Sequence, residues 1–262
     1  VPRDINYRIG NGKLAFYADN GSLDAAGSYN GILIGGAGTG GAADREGPQL
    51  QAYLNDDRFV SGGITNETPW LLVKLSDSSG INTTGTGIGH DIVATLDRDN
   101  RQYFILNDYF QAERDSYQQG TVRFRLPRLE PGPHHLQVKA WDVLNNSSEV
   151  QLEFIVASDG ALELSHVLNY PNPFHTRTRF WFEHNRPGQP LQVQVEILTL
   201  TGRVIRTIRQ TVQTEGNRSD DLEWDGRDQY GDRPGRGVYL YRLRVTSPDG
   251  KKHEVVERLV LL

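Results

Sequence analysis

Apolar residues fall on every second position along much of this chain. Val122, Phe124 and Leu126 alternate with arginines. Leu136, Val138 and Ala140 follow, then Val150, Leu152, Phe154 and Val156. Successive side chains of a strand point to opposite faces, so each run predicts a strand with one face on a core. Leu191, Val193, Val195 and Ile197 repeat the pattern, as do Tyr239, Tyr241, Leu243 and Val245. Residues 70–75, 90–96, 103–106, 204–211 and 255–262 are further strand candidates, and no segment sustains the i, i+3, i+4 spacing of a helix. Clusters of Asn, Asp, Gly and Pro separate the runs at sandwich-like intervals. The pattern predicts an all-β chain of two β-sandwich domains, 1–157 and 158–262, meeting at the polar seam 157–161. The first should have seven or eight strands around Trp70 and Trp141. Residues 1–45 are the least regular part, with one short strand at 30–36. The Gly- and Ala-rich loop 35–43 that follows lacks Gly-Lys-Ser/Thr and predicts no phosphate cradle.

Composition narrows the chemistry. The 262 residues include no cysteine, which excludes a thiol nucleophile, a disulfide and a thiolate metal site within this chain. Methionine is also absent and the sequence opens Val1-Pro2-Arg3, so the expectation is a processed product or a piece of a longer protein, any export signal lying upstream. No apolar run approaches the ~20 residues of a membrane-spanning helix. The net charge of −5 gives no reason to expect nucleic-acid binding. The acid excess lies in residues 1–157, with 19 acidic against 13 basic side chains; residues 158–262 have 14 against 15.

Few constellations could carry chemistry. The histidines, His90, His134, His135, His166, His175, His184 and His253, match no nucleophile-elbow or His-Glu-x-x-His pattern, and read as surface or turn residues. His134 and His135 are adjacent in a strand, so they should face opposite ways and share no metal. Asp97, Asp99, Asn107 and Asp108 flank a strand and are the candidate oxygen ligands for Ca²⁺, without the EF-hand spacing; no other cofactor is expected. Asp220, Asp221, Asp225, Asp228 and Asp232, interspersed with Arg227, Arg233 and Arg236, suggest local ion pairs in loops.

The second half holds the most specific signal. Asn169-Tyr170-Pro171-Asn172-Pro173-Phe174 is followed by Leu200-Thr201-Gly202-Arg203-Val204, then Trp224-Asp225-Gly226-Arg227-Asp228-Gln229-Tyr230-Gly231, and last Gly237-Val238-Tyr239. In this order the pieces resemble the C-terminal sorting domain of type IX secretion cargo, an immunoglobulin-like sandwich. A weaker resemblance, to the immunoglobulin-like domain of flagellar hook-capping proteins, shares only the tryptophan–glycine part. Pieces of the first half, among them Val1-Pro2-Arg3-Asp4-Ile5-Asn6-Tyr7, Gly87-Ile88-Gly89-His90-Asp91-Ile92 and Lys139-Ala140-Trp141-Asp142-Val143-Leu144-Asn145-Asn146-Ser147, resemble the region after the catalytic domain in the PorU family of gingipain-like cysteine peptidases, the sortases of that system.

The resemblance implies two immunoglobulin-like sandwiches from a Gram-negative cell-surface protein, peripherally attached to the outer membrane. Its parent would cleave sorting domains from cargo and link the cargo to lipopolysaccharide. This portion, having no catalytic Cys, would serve export and docking. The implied partners are an outer-membrane β-barrel resembling PorV, with PorQ- and PorZ-like proteins. The implied sorting and docking residues are Asn172, Pro173, Phe174, Gly202, Trp224, Gly226, Gly231, Gly237, Val238, Tyr239, Lys251, Lys252 and Leu259, with the C-terminal hairpin as docking element and the two lysines steering it. Rival readings are a carbohydrate- or lipopolysaccharide-binding module, which would need coplanar exposed aromatics on the first domain, and a structural spacer.

Overall fold

The structure, a computed structural model, describes residues 9–34, 44–84, 89–99 and 102–262. The loop 35–43, the opening residues 1–7 and part of the 87–92 motif lie outside the described residues. Gly10–Asp19 (β1) and Asp24–Ile34 (β2) form an antiparallel hairpin. Then come Gln49–Leu54 (β3), Ile64–Thr65 (β4), Trp70–Ser76 (β5), Val93–Leu96 (β6), Tyr103–Ile105 (β7), Phe110–Ala112 (β8), Gln119–Arg125 (β9), Gly132–Trp141 (β10) and Ser147–Val156 (β11). The second half contributes Leu164–Tyr170 (β12), Thr178–His184 (β13), Leu191–Leu198 (β14), Val204–Val212 (β15), Arg218–Trp224 (β16), Gly237–Thr246 (β17) and Lys252–Leu261 (β18).

Two pairs of sheets result. In the first half, a four-stranded sheet of order β3-β5-β9-β8 faces a five-stranded sheet of order β4-β11-β10-β6-β7. Their inward residues, including Leu71, Val73, Leu75, Val122, Leu136, Val138, Leu152 and Phe154, make one core. In the second half, the sheet β12-β13-β16 faces β15-β14-β17-β18. Phe180, Phe182, Val193, Val195, Leu222, Trp224, Tyr241, Leu243 and Leu259 fill the space between. Each such side chain stabilises the fold by about 1.5–3 kcal/mol when fully buried. The all-β expectation is met, and period 2 is the reason: inward residues of β5 alternate strictly with half-buried ones.

Three sequence expectations are corrected. The first half has more strands than seven or eight, its two sheets holding four and five among the described residues. The region before residue 45 contributes a hairpin rather than one short strand; its Gly- and Ala-rich sequence hides the alternation. Trp70 and Trp141 are not at the core. Both sit on outward positions of β5 and β10, half-buried, in cation–π contact. Arg123 and Arg125 lie 5.0 and 5.6 Å from the Trp70 ring, and Lys139 5.0 Å from Trp141. An indole covered by the stem of a basic side chain keeps apolar contact without entering the core.

The two sheet pairs touch through polar groups. Asn55 Nδ2 donates to Asn217 Oδ1 at 2.7 Å, and Arg58 reaches Asp220 at 3.3 Å. Asn217 Nδ2 in turn donates to the His184 carbonyl at 2.8 Å. His184 is fully buried, unlike a surface or turn histidine. Its Nε2 bonds the Thr214 hydroxyl, and Nδ1 accepts the Arg186 N–H. Burial, and secondarily the charge of Arg186, holds its pKa down at about 4. Near the junction, Glu67 accepts the Asp159 N–H at 3.0 Å and is ion-paired with Arg128.

Candidate functional site

Most of the motif residues converge on one end of the second sheet pair. Phe174 is buried and meets Trp224 edge to face, ring centroids 5.6 Å apart. Trp224 Nε1 donates to the Arg227 carbonyl at 2.8 Å, closing the loop after β16. Gly226 sits in that loop at φ 71°, where a Cβ would come within 3.1 Å of the Thr176 carbonyl oxygen. Glycine meets both demands, the left-handed backbone and the close approach. Tyr239 donates from its hydroxyl to the Gly235 carbonyl at 2.5 Å. Across the β17–β18 ladder Tyr239 faces Leu259, Val238 faces Val260 and Gly237 faces Leu261. Gly202 closes the tight β14–β15 turn, its N–H bonded to the Thr199 carbonyl, and Gly231 closes the turn at Asp228. The Gln229 N–H donates to the Ile205 carbonyl, tying the loop after β16 to the start of β15.

Asn172, Pro173 and Phe174 act on the last strand. The Asn172 side chain accepts the Val260 N–H at 2.9 Å and donates to the Arg258 carbonyl at 3.1 Å. The Phe174 N–H donates to Val260, and the Leu262 N–H donates to Phe174. This short segment therefore covers the free edge of β18 over residues 258–262. From Lys252 to Glu257 no strand pairs with that edge among the described residues.

Lys251 and Lys252 are placed elsewhere. They lie at the opposite end of β18, about 30 Å from Leu261 at ~3.3 Å per residue. Lys251 donates to the Asp159 carbonyl at 3.0 Å and pairs with Asp249 at 3.3 Å, so it ties the last hairpin to the junction rather than standing free; Lys252 is exposed. Leu259 is fully buried. The exposed apolar residues of this hairpin are Val238, Val256 and Leu262.

Of the expected calcium ligands, Asp97, Asp99 and Asp108 belong to no cluster of three carboxylates or histidines that could share a cation among the described residues. Asp97 accepts from the His135 N–H at 2.9 Å and pairs with His134 at 2.8 Å, and Asn107 Oδ1 accepts the Ile92 N–H. His134 and His135 do face opposite ways, His134 stacking on Phe154 and His135 reaching Gln151. The carboxylates that converge among the described residues are Asp44, Asp77 and Asp142, with ligand atoms within 4.8 Å of one another. These three could hold a cation, and Asp77 and Asp142 also accept hydrogen bonds within their own loops. Asp142 accepts from the Leu144 and Asn146 N–H groups at 2.9 and 2.7 Å, and Asp77 from Ser79 and Gly80. The trio has no sequence signal because its members come from three distant loops. The acidic run in and after β16 behaves similarly. Asp228 accepts the Tyr230 and Asp232 N–H groups, Asp225 that of Arg227, and Asp220 pairs with Arg58 of the first half rather than with a neighbour. Trp70 and Trp141 lie on two different sheets and so present no common plane.

The class these features define is an all-β chain of two sheet pairs that has no cysteine and so no cysteine peptidase site of its own. The chain is 32% identical to PorU of Porphyromonas gingivalis, known from a crystal structure of its dimeric latent form. The likeness covers 100% of this chain and 25% of that one, with a TM-score of 0.46. This chain spans a quarter of the length of that PorU chain. The BSP domain of a biofilm-associated protein (11% identity, 77% of this chain and 28% of that one, TM-score 0.28) and the Escherichia coli alpha-2-macroglobulin in its native conformation (12%, 94% and 16%, TM-score 0.30) are too distant to argue from. No family model and no curated protein matches.

Proposed function

We propose that this chain is the non-catalytic C-terminal portion of a type IX secretion sortase. It consists of an accessory sandwich, 1–157, and an immunoglobulin-like sorting and docking domain, 158–262. The observation that carries the reading is the 32% identity with PorU over the whole chain. The parent is a gingipain-like cysteine peptidase that cleaves sorting domains from cargo at the cell surface. Its nucleophile lies outside this cysteine-free chain. This portion holds the peptidase peripherally at the outer membrane by docking on a β-barrel resembling PorV, alongside PorQ- and PorZ-like proteins.

The docking face is the outward side and open edge of the β17–β18 hairpin. Val238 and Val256 are 45% and 50% exposed there, and among the described residues no strand pairs with the outer edge of residues 252–257. An open edge accepts a partner strand through main-chain hydrogen bonds. The test is capture of this chain by a PorV-like barrel in detergent. Wild type should be retained and Val256→Glu lost, with both folded by near-ultraviolet circular dichroism. Failure of the wild-type chain to bind would end the docking reading. Equal capture of Val256→Glu would move the site off this hairpin.

A further inference from the structure

The β1–β2 hairpin stands apart from both cores. Its residues contribute to neither hydrophobic cluster. No side chain described in it is buried. Its ladder runs only between its own two strands. A lone two-stranded hairpin is marginal in water at best. This one is also unsuited to water. Over residues 10–34 the ionisable groups that could carry charge near neutral pH are Lys13, Asp19 and Asp24, the aspartates sitting beside the tip.

Its apolar side chains occupy both faces. Leu14 pairs with Tyr29 and Phe16 with Gly27, which puts Leu14, Phe16 and Tyr29 on one side. Tyr17, paired with Ala26, is on the other, and Ile32 and Leu33 alternate between sides. Phe16, Tyr17, Tyr29 and Leu33 are 60%, 69%, 56% and 67% exposed. Elsewhere they alternate with Gly and Ala, which would let a second surface approach the backbone closely.

We propose that this hairpin is a peg that inserts into the peptidase domain of the same polypeptide, which covers both of its faces. The inference rests on the reading of the chain as part of a longer sortase. The PorU chain it matches is four times as long, so three-quarters of such a polypeptide is left to supply the socket. A second copy of this chain fits the pattern less well. Stacking about a two-fold axis covers one face of each hairpin, and covering both by self-association leads to an open array. Pairing through the strand edges covers neither face. A socket in the same polypeptide covers both at once. The linkage also sets an effective concentration near the millimolar range, so a contact of this small size suffices.

The absence of cysteine makes the test direct. Phe16→Cys and Tyr17→Cys place one thiol on each face, in this chain and in the longer polypeptide with its own cysteines replaced. Maleimide labelling is followed by mass, with Trp224 fluorescence checking the fold. In this chain both thiols should react at the rate of an unfolded control at every protein concentration. In the monomeric longer polypeptide both should react at least about tenfold more slowly, as buried sites do. Fast labelling of either face there overturns the proposal. So does protection in the isolated chain that grows with concentration, which would name a second copy as the occupant. If the polypeptide encoding this chain has no peptidase domain, it is the sortase reading that fails, a result read from sequence and separate from the labelling.

Discussion

Asn172 serves Val260 as a neighbouring strand would. Its side-chain carbonyl accepts the Val260 N–H at 2.9 Å, while its amide donates to Arg258 one step along at 3.1 Å. Two residues on, Phe174 continues the job with its backbone. The Asn-Pro-Phe motif is thus a device for closing the C-terminal part of an exposed edge, and Phe174 anchors it against Trp224. Proline fits the middle of such a segment because its missing N–H removes no bond that the edge needs.

Asn172→Ala should therefore cost about 0.5–1.5 kcal/mol, the net worth of hydrogen bonds at an exposed edge where water can partly take over from the lost side chain. Urea unfolding followed by the buried Trp224 measures it. Asn172→Asp keeps the acceptor for Val260 and loses only the donor, so it should fall between wild type and Ala. Equal stability of all three proteins would mean that water replaces the side chain at no loss.

Much of this fold was legible because alternation survives wherever one face of a strand is buried. The inward residues of β5, β10, β11, β14 and β17 could be read directly. Trp70 misled because size and apolarity say nothing of which face a side chain takes; its neighbours Leu71 and Val73 carried the true phase. The motif residues were legible as a set, yet their joint role around Phe174 depends on β18 returning beside residue 174, a contact spanning more than 80 positions. Asp142 gave no signal for the same reason.

Fluorescence quenching separates the tryptophans. Trp224 is 1% exposed, whereas Trp70 and Trp141 are half-buried on outer faces. In single-tryptophan variants, acrylamide should quench Trp70 and Trp141 several times faster than Trp224. Raised salt should quicken quenching at Trp70, because it weakens what holds Arg123 and Arg125 near the ring. Equal protection of all three would return Trp70 and Trp141 to the core.

Truncation of the C-terminus acts on stability before it acts on docking. Leu259 and Leu261 are 0% and 5% exposed and belong to the second core. Leu259→Ala should cost about 2–5 kcal/mol, the range for a buried leucine. Val256→Glu, on an exposed position of the same strand, should stay within about 0.5 kcal/mol of wild type. Thermal melts of the two variants check this. Loss of barrel capture on deleting residues 259–262 would thus report an unfolded second half, and only the Val256 variant addresses the interface.

Acid should weaken the fold through His184. Its pKa is about 4 in the folded chain, against an ordinary 6.5, because the ring is buried and lies near Arg186. Above pH 6.5 the ring is neutral in both folded and unfolded chains, and the stability is fully present. Between 6.5 and 4 the unfolded chain takes up a proton that the folded chain refuses, so stability falls as pH falls. The loss approaches about 1.4 kcal/mol per pH unit and totals on the order of 3 kcal/mol by pH 4. Carboxylates titrate over part of the same range, so the difference between proteins is the useful quantity. His184→Gln removes the titrating ring while an amide can still bond Thr214. It should be less stable than wild type at pH 7 and should close the gap as the pH falls to 4. Denaturant unfolding of both proteins at pH 7, 6, 5 and 4 gives the difference curve. A flat curve would mean that His184 gains its proton in the folded chain as readily as in the unfolded one.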